Sequence, residues 1–296
     1  MKAKMKSTRT FGVEIEFTSD SYNREDIASE LRHYGIDAES QDYNHNTQRV
    51  WKVITDSSCG YEIVSPVLKG NEGLEETRKV LDILNNMDGV KIDSHCGIHV
   101  HVHLEGYNPH NMINLVKTYM KYQDEINMVL PRSRRGTNRF CRDLVRAFQY
   151  SWGDTGNSYK KLFTKLSGIQ TKWKNGTYTD RDAMYNLDRC FGTRYTTLNL
   201  ECYSRYGTVE FRQHSGSLNS EKVSTWIVFC SNLVDRCAKV KFVQEHKTEN
   251  VLHNFANIFG EKQSRPVLKY LESRALHFGF NTISGAYAHA TEMRRV

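Results

Sequence analysis

Proline is scarce, with 4 residues in 296, against a usual ~5%. No Gly/Ser-rich tract takes its place. The sequence therefore offers no Pro-rich linker, flexible tail or collagen-like repeat. No apolar run approaches the ~20 residues that cross a bilayer as a helix. The basic stretch Met1–Arg9 leads straight into a strand-like segment and carries no apolar core with a cleavage site, so export is not expected. Seven cysteines is an odd count without regular spacing, and no Cys-x-x-Cys occurs. That pattern reads as reduced thiols in a cytoplasmic protein. Cys96 and His99 have the spacing of half a zinc site, but no second half accompanies them. No internal repeat is evident.

What is present fits a globular chain: 39% hydrophobic and 25% charged residues. The length alone suggests about two domains of roughly 150 residues. Net charge is +7, which favours an anionic partner such as a nucleotide, a nucleic acid or an acidic metabolite. The densest basic run is Arg132, Arg134, Arg135, Arg139 and Arg142. It reads either as a solvated loop or as one facing phosphate, whose oxygens match the guanidinium fork.

Residues 9–20 alternate with period two, placing Phe11, Val13, Ile15 and Phe17 opposite Glu14 and Glu16. A short helix is expected over 24–34. Strands are expected over 36–42 and 48–55, around the Asn44–Asn46 turn, and over 61–64, ending at Ser65-Pro66. A helix follows over 71–87. Residues 97–104 alternate again, with His99, His101 and His103 on one side. A long helix is expected over 109–130, with Pro109 in its first turn. The stretch 151–190 is polar, aromatic and lysine-bearing, and reads as a lid or insertion. A hairpin is expected from 196–202 and 208–213 around Tyr206-Gly207. A last long helix opens near Asn219, with an apolar stripe from Val223 to Cys237, and shorter helices fill 248–275. Hairpins outnumber strict βαβ alternation, so the expected class is α+β, a mostly antiparallel sheet with helices on one face.

Several strands carry acidic or imidazole groups amid apolar neighbours: Glu14 and Glu16, Glu62, His99 and His101, and Glu210 with Arg212. Residues at i and i+2 share a face of a strand. One such strand could be the wet face of a half-solvated sheet. Repetition over four strands points elsewhere, because four carboxylates on one face repel one another and need a cation or raised pKa values. Magnesium held by carboxylates together with substrate phosphates is the usual solution. Imidazole admits manganese, and zinc also remains compatible. Arg212 beside such a centre suits a phosphoryl group in transfer.

The segments FGVEIE, WKVITDSSCGYEIVSPVLKG, CGIHVHVH, RSRRGTNRFC, RYTTLNL and GTVEFRQHSGSLN occur in this order over residues 9–235. Together they resemble the amidoligase family, within the glutamine synthetase and glutamate–cysteine ligase superfamily of carboxylate–amine ligases. The resemblance implies a single catalytic domain over 1–296, built on a curved, mostly antiparallel sheet. Helices would pack on its convex face, and its concave face would bind ATP and two or three Mg ions, with Mn as an alternative. It implies metal ligation by Glu14, Glu16, Glu62, His99 and Glu210. Arg212, Glu210 and His101 would serve catalysis. Nucleotide contacts would come from Arg212, Arg135, Arg194, Lys52 and Asn199, with His103 and His214 behind them. The small N-terminal domain of glutamine synthetase has no counterpart before residue 9, so no dodecameric ring is expected.

The implied reaction passes the γ-phosphoryl of ATP to a carboxylate, after which an amine attacks the acyl phosphate. The partners are ATP, a carboxylate and an amine from an amino acid, peptide or protein side chain. Nucleic acid is the less favoured partner, and no membrane is expected. Two other readings stay open: a phosphotransferase or nucleotide hydrolase on the same scaffold, and a nucleic-acid-binding module.

Overall fold

The computed structural model of the chain describes residues 3–44, 46–136, 138–154, 156–245 and 265–280. The helices expected over 248–275 thus lie outside the described residues up to position 264. The chain divides into two compact units, 1–103 with 210–231, and 104–209 with 232–296. The class is mixed α+β with a mostly antiparallel sheet and, among the described residues, ten α-helices.

In the first unit, β1 (Thr10–Ser19) is flanked by β4 (Gly60–Val64) and β7 (Gly97–His103), both antiparallel to it. Beyond β4 lie β3 (Trp51–Asp56) and β2 (Ala38–Ser40), and beyond β7 lies β9 (Thr208–Ser215). The pairs β5 (Leu68–Lys69) and β6 (Val90–Lys91) add to the two ends of β1. The register sets the two faces apart. Val53, Ile63, Ile15 and Ile98 form one cross-strand row, all fully buried. The adjacent rows on the other face run Ile54–Glu62–Glu16 and Lys52–Val64–Glu14–His99. A one-residue slip would exchange these faces, so the apolar row fixes where the carboxylates point.

Helices α1 (Arg24–His33) and α2 (Gly70–Asn86) complete this unit's core with Ile27, Leu31, Leu74, Val80, Leu81 and Leu84. Asn23 caps α1 in a reciprocal box with Asp26, which satisfies end amides that lack intrahelical partners. The sheet is uncurled, against the expected curvature. Coiling accumulates along paired strands, and β2, β5 and β6 are only two or three residues long. The turn expected at Asn44–Asn46 between strands 36–42 and 48–55 is also corrected. β2 pairs with β3 in parallel, Ala38 with Trp51, so the Asn-rich segment between them is a connection and not a tight turn.

In the second unit, α3 (Pro109–Lys121) and α4 (Gln123–Met128) replace the single helix expected over 109–130. The break is the one residue Tyr122, across which helical hydrogen bonds continue from Tyr122 N to Thr118 O and from Ile126 N to Tyr122 O. A local interruption of this size leaves the apolar period intact. A 3-10 turn covers Arg132–Arg134. The stretch 151–190 lies largely in helices α5 (Leu144–Trp152), α6 (Ser158–Lys174) and α7 (Asp180–Asp188), with Leu162, Leu166 and Leu187 fully buried. After β8 (Leu198–Asn199) the chain turns into α8 (Cys202–Tyr206), ending at Gly207 in left-handed conformation. In place of the turn expected around Tyr206-Gly207, that glycine closes a short helix.

Helix α9 (Ser220–Lys239) begins in the first unit and ends in the second. Its stripe from Val223 to Cys237 is buried as expected. A tenth helix spans Arg265–His277. No described helix is long and apolar enough to cross a membrane.

Candidate active site

The polar face of the first unit brings Glu14, Glu16, Glu62, His99, His101, Glu210 and Arg212 together. Glu16 and Glu62 are direct cross-strand partners, as are Glu14 and His99. His99 is the hub. Its Nδ1 lies 2.9 Å from Glu14 and 3.4 Å from Glu210, and its Nε2 lies 3.6 Å from Glu16. His101 Nε2 is 3.2 Å from the other Glu14 oxygen. The Gly97 amide donates to Glu16 Oε2 at 2.6 Å. The Arg212 guanidinium donates to Glu210 Oε1. Glu16, Glu62, His99 and Glu210 are all buried.

This density shifts the carboxyl groups in opposite directions. Burial pushes the Glu62 pKa well up, and the negative charges of Glu14, Glu16, Asp56 and Glu210 push it further. Burial opposes ionisation of Glu14 as well, but hydrogen bonds and charge from His101 and His99 outweigh it and hold the group well below its ordinary value. Glu210 is likewise buried, yet Arg212 and the two histidines draw its pKa down.

On this face the ligand atoms of Glu14, His99 and Glu210 lie within 4.8 Å of one another, as do those of Glu16, Glu62 and His99. Hard carboxylate oxygens with a single imidazole suit Mg or Mn better than zinc, which favours sulfur and nitrogen donors. Divalent cations here would relieve the crowding that raises the Glu62 pKa. The donor set therefore fits hard metal ions, which these five residues would hold.

Lys52 is buried and not the surface-strand residue its position could suggest. Its ammonium donates to Asn44 O, Asn44 Oδ1 and Asn46 O. Burial lowers its pKa, while the charges of Glu14 and Glu62 act against that shift. The connection read only as an Asn-rich turn thus positions a lysine on the acidic face.

Arg135, Arg194 and Asn199 belong to the second unit. Arg135 donates from Nε to Leu130 O at 3.0 Å, with its guanidinium over the Phe278 and Phe280 rings. Arg194 is exposed, over the Tyr195 ring. Asn199 is buried and accepts from the Glu201 amide. Arg134 of the same loop is buried. His103 is half-buried at the end of β7, and His214 is buried against Trp226.

The expectation of seven reduced thiols is corrected: Cys59 and Cys96 form a disulfide. The signal was present as two copies of Asp-Ser-x-Cys-Gly, at 56–60 and 93–97. In each copy the aspartate Oδ1 accepts from the amides two and three residues on, Ser58 and Cys59 in one turn, His95 and Cys96 in the other. These matched turns present the cysteines to each other, three residues before Glu62 and His99 respectively. The bond also answers the half zinc site, since Cys96 pairs with Cys59 and not with His99. Cross-linking residues this far apart restricts the unfolded chain. Cys59→Ser should therefore cost about 2–4 kcal/mol and make thermal melting insensitive to dithiothreitol. Equal melting of the variant and the oxidised parent would refute the staple.

A family model described as "putative amidoligase enzyme" matches residues 7–234. The match covers more than half of the chain, and the chain belongs to this amidoligase family. A search of curated proteins found no match.

Proposed function

We propose that the protein is an ATP- and Mg-dependent carboxylate–amine ligase working through an acyl phosphate, on a catalytic unit of the glutamine synthetase type. The observation that carries this reading is the convergence of four carboxylates, two imidazoles and Arg212 on one sheet face, in a chain of the amidoligase family. Glu14, Glu16, Glu62, His99 and Glu210 would hold the metal ions. Bound there, the ions would neutralise phosphate charge and polarise the phosphoryl oxygens. Arg212, already oriented by Glu210, would stabilise the transferring phosphoryl group. His101 and Lys52 add an imidazole and an ammonium to the acidic face. Arg135, Arg194 and Asn199 remain proposed nucleotide contacts from the second unit. No covalent enzyme intermediate is required, because the substrate carboxylate is itself the phosphoryl acceptor.

The test is a pooled library of amines and carboxylates incubated with ATP and Mg and read by mass spectrometry. The expected product has lost one water relative to its parents, with ADP, phosphate and amide formed in equal amounts. A stable phosphorylated product without an amide would instead assign a phosphotransferase. ADP and phosphate alone would assign a hydrolase.

Metal binding should also depend on pH. Below its raised pKa, Glu62 carries a proton that a metal must displace. Affinity for Mg or Mn should therefore rise with pH through that range and level off above it. Titration calorimetry in two buffers of different ionisation heat should reveal a released proton near the Glu62 pKa. Identical heats throughout the rising range would contradict the assignment of Glu62 as a ligand.

A further inference from the structure

The positive charge of the protein is concentrated in one stretch. Residues 132–205 hold fifteen Lys and Arg against six Asp and Glu, a net +9, while all other positions hold 26 against 28. The same stretch contains exposed rings: Phe140, Tyr150, Trp152, Tyr185 and Tyr195, with Tyr150 78% and Tyr185 61% exposed. Each ring carries a cation over it. Arg139 lies over Phe140, Arg142 over Tyr150, Lys165 over Trp152, Arg189 over Tyr185 and Arg194 over Tyr195, at 3.1–5.7 Å from the ring centres.

The pairs are linked within the second unit. Phe140 packs edge-on against Tyr195, the Arg142 amide donates to Tyr195 O, and Trp152 Nε1 donates to Arg189 O. Among the described residues, no carboxylate pairs with Arg139, Arg142, Lys165 or Arg189.

We infer that this cation-on-ring surface docks an acidic polypeptide segment. A guanidinium stacked on a ring is held in place through its face, which leaves its N–H edge for a carboxylate. Stacking also removes part of the rotamer freedom that binding would otherwise have to restrict. A single-stranded nucleic acid would use the rings differently, stacking its bases on them. Here each ring has a face already occupied by a cation, so recognition through the N–H edges is favoured over base stacking.

Fluorescence anisotropy with a labelled twelve-residue glutamate peptide and a labelled twelve-nucleotide oligo-dT tests the inference. The full chain should bind the peptide at least tenfold more tightly than oligo-dT. The double variant Arg139→Glu, Arg189→Glu should lose at least tenfold in peptide affinity while keeping its melting temperature. The control variant Lys69→Glu, Lys79→Glu makes the same charge change in the first unit and should bind like the parent. Tighter oligo-dT binding would assign the surface to nucleic acid. No peptide binding, or equal losses in both variants, would overturn the docking inference.

Discussion

Glu16→Ala should lower ATP-dependent turnover by on the order of 1,000-fold, the scale reached when a preorganised electrostatic contact to the transition state is removed. Glu16 accepts the Gly97 amide, sits opposite Glu62 and approaches His99 at 3.6 Å. On the proposed metal assignment its loss therefore dismantles the group of Glu16, Glu62 and His99, while the apolar row behind β1 stays in place. The informative companion is Glu62→Gln, which keeps the shape and removes the charge. Glu62 is the group whose ionisation its surroundings oppose, first through burial and then through four neighbouring carboxylates. A folded-state pKa above the unfolded value means that the metal-free protein loses stability as pH rises between the two. Glu62→Gln should thus melt at a higher temperature than the parent in chelator at neutral pH, yet gain less from added Mg or Mn. Such opposition between stability and function marks a site whose charges await a ligand. A Glu62→Gln variant that melts lower without metal, or gains as much from metal as the parent, would contradict it.

Arg212 is expected to show the second large effect, in stability as well as turnover. Its guanidinium neutralises Glu210, whose side chain is only 4% exposed. Arg212→Ala leaves that carboxylate buried without its partner, a change that typically costs about 3–5 kcal/mol. Arg212→Lys keeps the charge but not the bidentate fork. It should fold close to normally and still turn over roughly 100-fold more slowly. The pH dependence follows from the sign of the Glu210 shift. Because the folded-state pKa is lowered, the pair stabilises the protein above the unfolded carboxylate value near ~4.3 and that contribution disappears as pH falls through the folded-state value. Arg212→Ala should lose this acid-side transition. Full turnover in Arg212→Lys would remove the arginine from the phosphoryl-transfer role.

The acidic face was legible because a strand's period of two is unambiguous when one side is wholly apolar. Phe11, Val13, Ile15 and Phe17 could only be core, which left Glu14 and Glu16 to share the other side. The same logic placed His99 with His101 and Glu210 with Arg212. Other features depended on partners distant in sequence. The disulfide arises from two turns 37 residues apart, each ordinary alone and informative only as a pair. The Lys52 ammonium is satisfied by two backbone carbonyls and the Asn44 side-chain oxygen of the 44–46 connection, a pairing that strand periodicity does not encode. The segment 202–206, expected as the turn of a hairpin around Tyr206-Gly207, is a short helix that the left-handed Gly207 ends. The division into two units rests on tertiary contacts that local periodicity does not encode.

The most direct test of the ligase assignment follows oxygen. A pool of amino acids and acidic peptides labelled with 18O in their carboxylates is incubated with the protein, unlabelled ATP, Mg and an amine pool, and the released phosphate is examined by mass spectrometry. Transfer through an acyl phosphate moves one carboxylate oxygen into inorganic phosphate, so phosphate heavier by one 18O should appear only when the labelled pool and the amine are both present. Label found in AMP would identify an acyl adenylate, and phosphate free of label during amide formation would contradict the acyl phosphate altogether.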